Sequence, residues 1–411
     1  MSYPTLEKLF YQDSSSERFD RHAHLARQRL ESESTFRTGI ELAHGELFLA
    51  VPRELSTSSE RILRRERRVS ALWRGLPTVA LGAFIRSLIM DEVVYSNEIE
   101  GVHSTRRQIE LALEHVGAGS PQGAQTDSHT PFVEFANLYL NLTDNPVPPA
   151  TLVDIRTIYD SVVADAIDPA DLPGDAIFRS GPVVIENERG KVIHEGITPE
   201  PAIEAAMRQW LGLSRDERIP ELYSALLCHF LFGYIHPFYD GNGRTGRYLL
   251  ALHLSQPLSQ PTVLSLSRVI AENKAAYYKA FDITERKLNC AEGTHFVLTM
   301  LDLIGQAQDD LIADLESKRD MINRVMAQIG NLENSHSPRA VETLFYAAQM
   351  HLFDAFRETR QNLLAEHLKA SQATARRLLT SLSAENLLRK TSARPVAYQL
   401  TDQGLKTLGL A

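Results

Sequence analysis

Apolar residues recur three and four positions apart along most of this chain, with polar residues between them, as in helices that bury one face. The spacing predicts helices over Glu60 to Trp73, Ala80 to Ile99, Ser104 to His115, Phe132 to Leu142, Pro149 to Ala164, Glu200 to Leu211 and Phe296 to Met326. A mainly α fold is expected. Strict alternation is clear only in Gly181-Pro-Val-Val-Ile-Glu-Asn-Glu-Arg-Gly-Lys-Val-Ile-His, where two β-prone runs flank an Asn-Glu-Arg-Gly turn. That predicts a single hairpin in the body of the protein. Gly117 to Thr130 and Asp144 to Pro149 have loop composition, and Asn331 to Pro338 reads as a linker.

Two segments are apolar nearly all round, Glu221 to Ile235 and Tyr248 to Leu254, which suits helices buried in a core. Between them lies His236-Pro-Phe-Tyr-Asp-Gly-Asn-Gly-Arg-Thr-Gly-Arg247, a polar loop joining two buried helices. Gly241, Gly243 and Gly246 let the backbone turn tightly and bring its N–H groups close to a ligand at the start of the second helix. Arg244 and Arg247 fall in the first turn of that helix, where the macrodipole repels cations, so the placement is unfavourable unless an anion sits there. A polyphosphate would supply the charge, Asp240 could hold a divalent cation between phosphates, and His236 could accept a proton near neutral pH. The chain has no Gly-x-x-x-x-Gly-Lys-[Ser/Thr], so this is not a P-loop. The plainer alternative is a helix–loop–helix connection whose glycines only cap and turn.

These twelve residues resemble the signature of Fic-domain proteins, His-x-Phe-x-[Asp/Glu]-Gly-Asn-Gly-Arg-x-x-Arg, at every specified position. The resemblance implies a Fic-type helical core that transfers AMP from ATP, with Mg2+, to a Ser, Thr or Tyr hydroxyl of a target protein. It makes His236 the general base, Phe238 the buried anchor of the loop and Asp240 the metal ligand. Asn242 with Gly241, Gly243 and Gly246 becomes the phosphate cradle, Arg244 the β-phosphate contact and Arg247 the γ-phosphate contact. The hairpin, with Val183, Val184 and Ile185, resembles the flap that holds a target segment. Asn273, Tyr277 and Tyr278 resemble the adenine-pocket helix. A departure is the aromatic stretch common later in the family, present here only as Thr294-His-Phe-Val-Leu-Thr, without Trp.

Ser96-Asn-Glu-Ile-Glu-Gly101 closes a predicted helix, with Ser96 and Glu100 on one face and Gly101 as a natural C-cap. A carboxylate there meets the negative end of the helix and gains from a nearby cation. Beside the Fic signature, the segment resembles the family's inhibitory motif [Ser/Thr]-x-x-x-Glu-[Gly/Asn], in which Glu100 would pair with Arg247 and deny ATP its γ-phosphate site.

The chain has 411 residues, 43% apolar and 23% charged, enough for two or three domains. The expected division is an N-terminal helical region with the inhibitory motif (1–116), a Fic core (117–330) and a winged helix-turn-helix domain (337–411). The last rests on Thr359 to Leu368, a turn at Lys369-Ala370, the helix from Ser371 to Leu382 and a wing-like alternation from Leu387 to Thr401. Net charge is −9, distributed as +4 on residues 337–411 and −13 elsewhere, which excludes a chain that coats nucleic acid by charge throughout. Arg376, Arg377, Arg389, Lys390 and Arg394 could still touch phosphates. DNA or protein docking through this module, self-modification and a homodimer are the partner options, with no membrane. Two cysteines, Cys228 and Cys290, are expected as buried thiols in a reducing compartment, and no basic segment followed by an apolar one opens the chain, so a cytoplasmic protein is expected. Rivals to AMP transfer are AMP removal or transfer of another nucleotide at the same site, and a nucleotide-sensing DNA-binding regulator.

Overall fold

The computed structural model describes residues 3–117, 130–144, 146–164, 167–168, 171–186, 190 and 192–411. The loop expected at 117–130 lies almost wholly outside the described residues, as do Asn187, Glu188 and Arg189 of the hairpin turn. Helix accounts for 64% of the described residues. In chain order the first elements are α1 (Leu6–Gln12), α2 (Arg18–Leu30), β1 (Thr35–Leu42), β2 (Gly45–Ala50), α3 (Arg53–Arg74), α4 (Thr78–Ile99), α5 (Arg106–Gly117), α6 (Val133–Asp144) and α7 (Leu152–Val163). There follow β3 (Val184–Glu186), β4 (Val192–Glu195), α8 (Glu200–Leu213), α9 (Glu221–Ile235), α10 (Asn242–Leu254), α11 (Gln260–Val263), α12 (Leu266–Glu272), α13 (Lys274–Glu285) and α14 (Thr294–Leu332). The C-terminal elements are α15 (Pro338–Phe353), β5 (Thr359–Arg360), α16 (Gln361–His367), α17 (Gln372–Ala384), β6 (Leu388–Ala393), β7 (Val396–Leu400) and α18 (Asp402–Thr407). No helix of the described residues is long and apolar enough to cross a membrane.

The chain divides into two compact units, residues 1–66 with 89–308 and residues 67–88 with 309–411, with boundaries inside α3, α4 and α14. In the first unit, α9 packs against α8 and α10, and α7 against α6, α8 and α10. Leu226, Leu227, Phe230, Phe232 and Ile235 of α9 are at most 1% exposed, which is why its sequence shows no polar face. Trp210 of α8 is buried and donates its indole N–H to the carbonyl of Cys228 at 2.8 Å. Two buried carboxylates tie distant segments together. Glu66 accepts from Ser259 N, Thr262 Oγ1 and Gln308 Nε2. Glu92 accepts from Ser267 N and Oγ and from Tyr139, and burial pushes it up to about 7.

The expectation of a single body hairpin is corrected: β1 and β2 form a second antiparallel pair, from Thr35↔Ala50 to Leu42↔Gly45. Gly39, at φ +68°, accompanies a register shift between Arg37 and Glu41 that interrupts the alternation sequence reading relies on. This hairpin joins α14, where the Thr294 hydroxyl both accepts from Ala50 N and donates to Ala50 O at 3.1 Å. Cys228 is buried as expected, but Cys290 is only partly so, because it sits in a left-handed turn after α13.

In the second unit β5, β7 and β6 form an antiparallel sheet in that order, with α16 and α17 between β5 and β6 in the chain. Ala375, Leu379 and Leu382 bury one face of α17, and Gln372, Arg376, Arg377 and Thr380 lie on its exposed face. Truncating Phe230 to Ala in α9 should cost about 3 to 5 kcal/mol of stability, read as a lowered urea midpoint.

Candidate functional site

Helix α9 ends at His236, whose backbone takes the left-handed conformation (φ 53°, ψ 62°), unusual for a residue with a side chain. The turn puts the imidazole at the mouth of the loop that follows. Phe238 is fully buried, stacked on Tyr159 with ring centroids 3.6 Å apart and tilted against Phe178. Asn242 closes the loop by using both ends of its amide on Phe238, accepting from its N–H at 2.9 Å and donating to its carbonyl at 2.8 Å. Asn242 therefore shapes the cradle from behind. Gly241 is the N-cap of α10 at φ +78°, and a Cβ there would stand 2.5 Å from Val163 Cγ1. A Cβ on Gly243 would collide with the Glu100 carboxylate, so the carboxylate lies directly over the first turn of α10. Gly246 also has a packing use: a Cβ there would stand 3.1 Å from Phe232 Cδ1 of α9, and its carbonyl accepts from His229 Nδ1.

Both arginines of the motif are buried, and they are treated differently. Arg247, 2% exposed, donates from Nη1 to Glu100 Oε1 at 2.7 Å, from Nε to Ser96 Oγ at 3.0 Å and from Nη2 to the Ser96 carbonyl at 2.7 Å. The end of α4 thus occupies its whole fork. Gly101 makes this geometry possible: at φ +74° it ends α4 with Gly101 N donating to Glu98 O and Val102 N to Asn97 O, which leaves Glu100 in the turn just past Ile99, the last helical residue. Lys274 also caps α4, through the carbonyl of Ile99. Burial raises the Glu100 carboxyl, but Arg247, Arg244 and Lys274 outweigh it and hold the group below its usual range. Arg244 is 0% exposed, and none of its three guanidinium nitrogens has a hydrogen-bond partner among the described residues. A buried charge without hydrogen bonds is costly, and an anionic ligand is a group that could offset that cost.

Burial and the neighbouring His194 pull His236 down to about 4, with a ring hydrogen bond to the Gly233 carbonyl acting the other way. The imidazole is therefore neutral through the physiological range. Asp240 is exposed at the rim and electrostatically coupled to Arg244. No group of three or more His, Cys, Asp or Glu side chains among the described residues could hold a metal by itself.

Of the three residues expected to line a base pocket, Asn273 joins α12 to α13 and donates to Val269 O and Gln306 Oε1. Tyr277 is 3% exposed and turned inward, its hydroxyl bonded to His229 Nε2 at 2.7 Å, whereas Tyr278 is 43% exposed. The hairpin β3–β4 pairs Val184 with Glu195 and Ile185 with His194, and leaves Val184 and Ile185 exposed. Three residues near the site carried no readable motif: Arg179, buried beneath the hairpin, and the pair His194–Glu285, whose Nδ1 to Oε2 distance is 2.7 Å. Their one sequence signal is position, since Arg179 and His194 flank the alternating segment.

Residues 149–254 match the family model described as Fic/DOC family. This stretch runs from before α7 through the end of α10 and so contains the hairpin, the His236 turn and the glycine-rich loop that opens α10. The chain carries a Fic domain. Among curated relatives it is similar to protein adenylyltransferase fic-1 of Caenorhabditis briggsae, 32% identical over 89 residues, and to protein adenylyltransferase Fic of Drosophila virilis, 27% identical over 178 residues. The matches cover 21% and 42% of this chain but only 17% and 34% of those relatives. Among solved structures, a Fic family protein from Desulfovibrio desulfuricans G20 shares the fold over 86% of this chain and 97% of its own, at a TM-score of 0.51 and 18% identity.

Within the Fic domain, His229 is pulled down to about 3 and His253 to about 4, each by burial first. Their folded values lie below the unfolded ~6.5. The native state therefore binds fewer protons, and the stability this confers is complete above pH 6.5 and lost as pH falls toward 4. At pH 5 each should have lost about 2 kcal/mol relative to pH 7. Melting curves from pH 7 to pH 5 should show the fall, and His253→Gln should make it shallower.

Proposed function

We propose that this chain is a Fic-type protein adenylyltransferase held in check by its own Glu100. The observation that carries the reading is Arg244, a fully buried guanidinium with three unpartnered nitrogens, beside an arginine already occupied by a carboxylate over a helix N-terminus. Such a site wants a polyanion and is half filled by protein. In this reading ATP lays its phosphates on the start of α10, with Arg244 on the β-phosphate and Arg247, once released by Glu100, on the γ-phosphate. Neutral His236 takes the proton of a target Ser, Thr or Tyr hydroxyl as its oxygen attacks the α-phosphorus and pyrophosphate leaves in line. The anion-binding groups offset the charge that develops. Asn273 and Tyr278 stand on the base side, and the exposed edge of the hairpin at Val183 to Ile185 receives the target by strand addition.

The residues also fit Mg2+. One rim carboxylate, Asp240, together with phosphate oxygens is the usual protein share of such a site. Bound there, the ion would neutralise phosphate charge. We read residues 337–411, within the second unit, as a winged-helix docking module. Arg376, Arg377, Arg389, Lys390 and Arg394 are exposed, and an anionic partner such as DNA fits them. Salt-dependent binding of duplex DNA, weakened by Arg376→Ala with Arg377→Ala, would support DNA over a protein partner.

His236→Ala should abolish labelling by radioactive ATP, a loss of about 10²- to 10⁴-fold, with nucleotide affinity largely kept. Near-normal labelling would remove His236 from the chemistry.

Glu100→Gly should raise self-modification about five- to 150-fold, the range for a coupling of ~1 to 3 kcal/mol. Adding Arg247→Ala should cancel the gain. Equal labelling by wild type and Glu100→Gly would sink the brake and leave the transferase reading standing.

A further inference from the structure

Arg179 is 0% exposed, and no carboxylate pairs with it among the described residues. Four backbone carbonyls take its protons instead. Nε donates to His236 O at 2.8 Å, Nη1 to Gly181 O at 2.6 Å, and Nη2 to Ile197 O at 2.7 Å and more weakly to Ile235 O at 3.5 Å. Its own backbone N–H adds a bond to Pro237 O at 3.1 Å. Three of these five acceptors are consecutive residues of the turn that carries His236. The other two are the feet of the hairpin, Gly181 before β3 and Ile197 after β4. Burying a guanidinium on carbonyl dipoles alone is expensive compared with an apolar side chain of similar size, so stability does not explain the choice.

The surroundings are cut to fit this side chain. A Cβ on Gly196 would collide with the guanidinium and come within 3.1 Å of His236 Cβ. Gly196 N donates to Val183 O at 3.0 Å and Ile197 N to Ile235 O at 3.2 Å, while Gly181 N donates to the Tyr239 hydroxyl at 2.9 Å. The hairpin is thus fastened to the His236 turn at its base, and Val184 and Ile185 stay exposed above it.

We propose that Arg179 is a positioning residue that fixes the hairpin relative to His236, and so sets where a target strand lying on the hairpin presents its hydroxyl to the base. The inference rests on the adenylyltransferase reading above. Arg179 touches neither nucleotide groups nor the cradle, so its loss should leave ATP binding intact. Transfer to protein needs both partners in register, whereas attack by water on the same phosphorus does not need the hairpin. A displacement near 1 Å can cost about 10²-fold.

The test uses the full chain carrying Glu100→Gly, with labelled ATP, and measures protein labelling, free AMP from hydrolysis and nucleotide affinity in one preparation. Arg179→Gln should leave affinity within about twofold, lower protein labelling 10- to 100-fold and raise the ratio of free AMP to labelled protein at least tenfold. Arg179→Lys, which can still meet one or two of the carbonyls, should fall between. Should Arg179→Gln not fold, Gly196→Ala decides, because it presses on the same guanidinium from outside and should shift the ratio in the same direction. An unchanged ratio, or labelling and free AMP falling in parallel, overturns the proposal. Failure of the Glu100→Gly parent to make either product counts against the activity itself and is seen before any Arg179 variant is compared.

Discussion

Two guanidinium groups buried at the positive end of one helix form an arrangement that protein alone does not easily stabilise. Helix dipole, burial and mutual repulsion all act against Arg244 and Arg247. The chain relieves one of them with Glu100 and the Ser96 carbonyl and hydroxyl, and leaves the other without a hydrogen bond. Much of the first unit serves this arrangement. Helix α4 must end where it does, with a left-handed Gly101, for Glu100 to reach over α10. Gly243 must lack a side chain to receive it, and Lys274 must hold the last turn of α4 from α13.

Glu100 in consequence sits in an electrostatic well that Arg247 and Arg244 share. The carboxylate pairs directly with Arg247 but reaches Arg244 only through space, without a hydrogen bond, so it satisfies the site incompletely. A polyphosphate brings more charge and reaches both. The balance between them is set by a single partly buried ion pair and one helix end, interactions of a few kcal/mol at most.

The cradle was legible in the sequence because its chemistry is local. Glycines, arginines and a histidine at fixed spacing within twelve residues carry their meaning without tertiary information, and the two apolar helices around them place the loop in the core. The pairing of Glu100 with Arg247 was legible only because both lay in short patterns with an evident charge argument. The left-handed backbone of His236 was not, since nothing in the residue type asks for it. The first hairpin escaped for a different reason: a bulge at Gly39 breaks the period of two on which strand recognition depends. Gly246 carries a second meaning that the pattern does not reveal: in the fold it is also the place where α10 meets Phe232.

Arg179 was invisible for the deepest reason. An arginine outside any motif is most often a solvated surface group, and only the fold reveals that its partners are carbonyls from residues 181, 197, 235 and 236. The contrast with Arg244 and Arg247 separates three uses of one side chain within a single domain. Arg247 meets an ionised partner and can be exchanged between partners. Arg244 meets none and awaits one. Arg179 meets neutral dipoles on every side, which gives it nothing to exchange and no role in binding a mobile anion. A planar fork that makes four hydrogen bonds to the backbone defines distances and angles in a way that a flexible ammonium cannot. Its place between the feet of the hairpin and the His236 turn therefore fixes one side of the site through backbone dipoles, while Arg247 holds the other side through an ion pair.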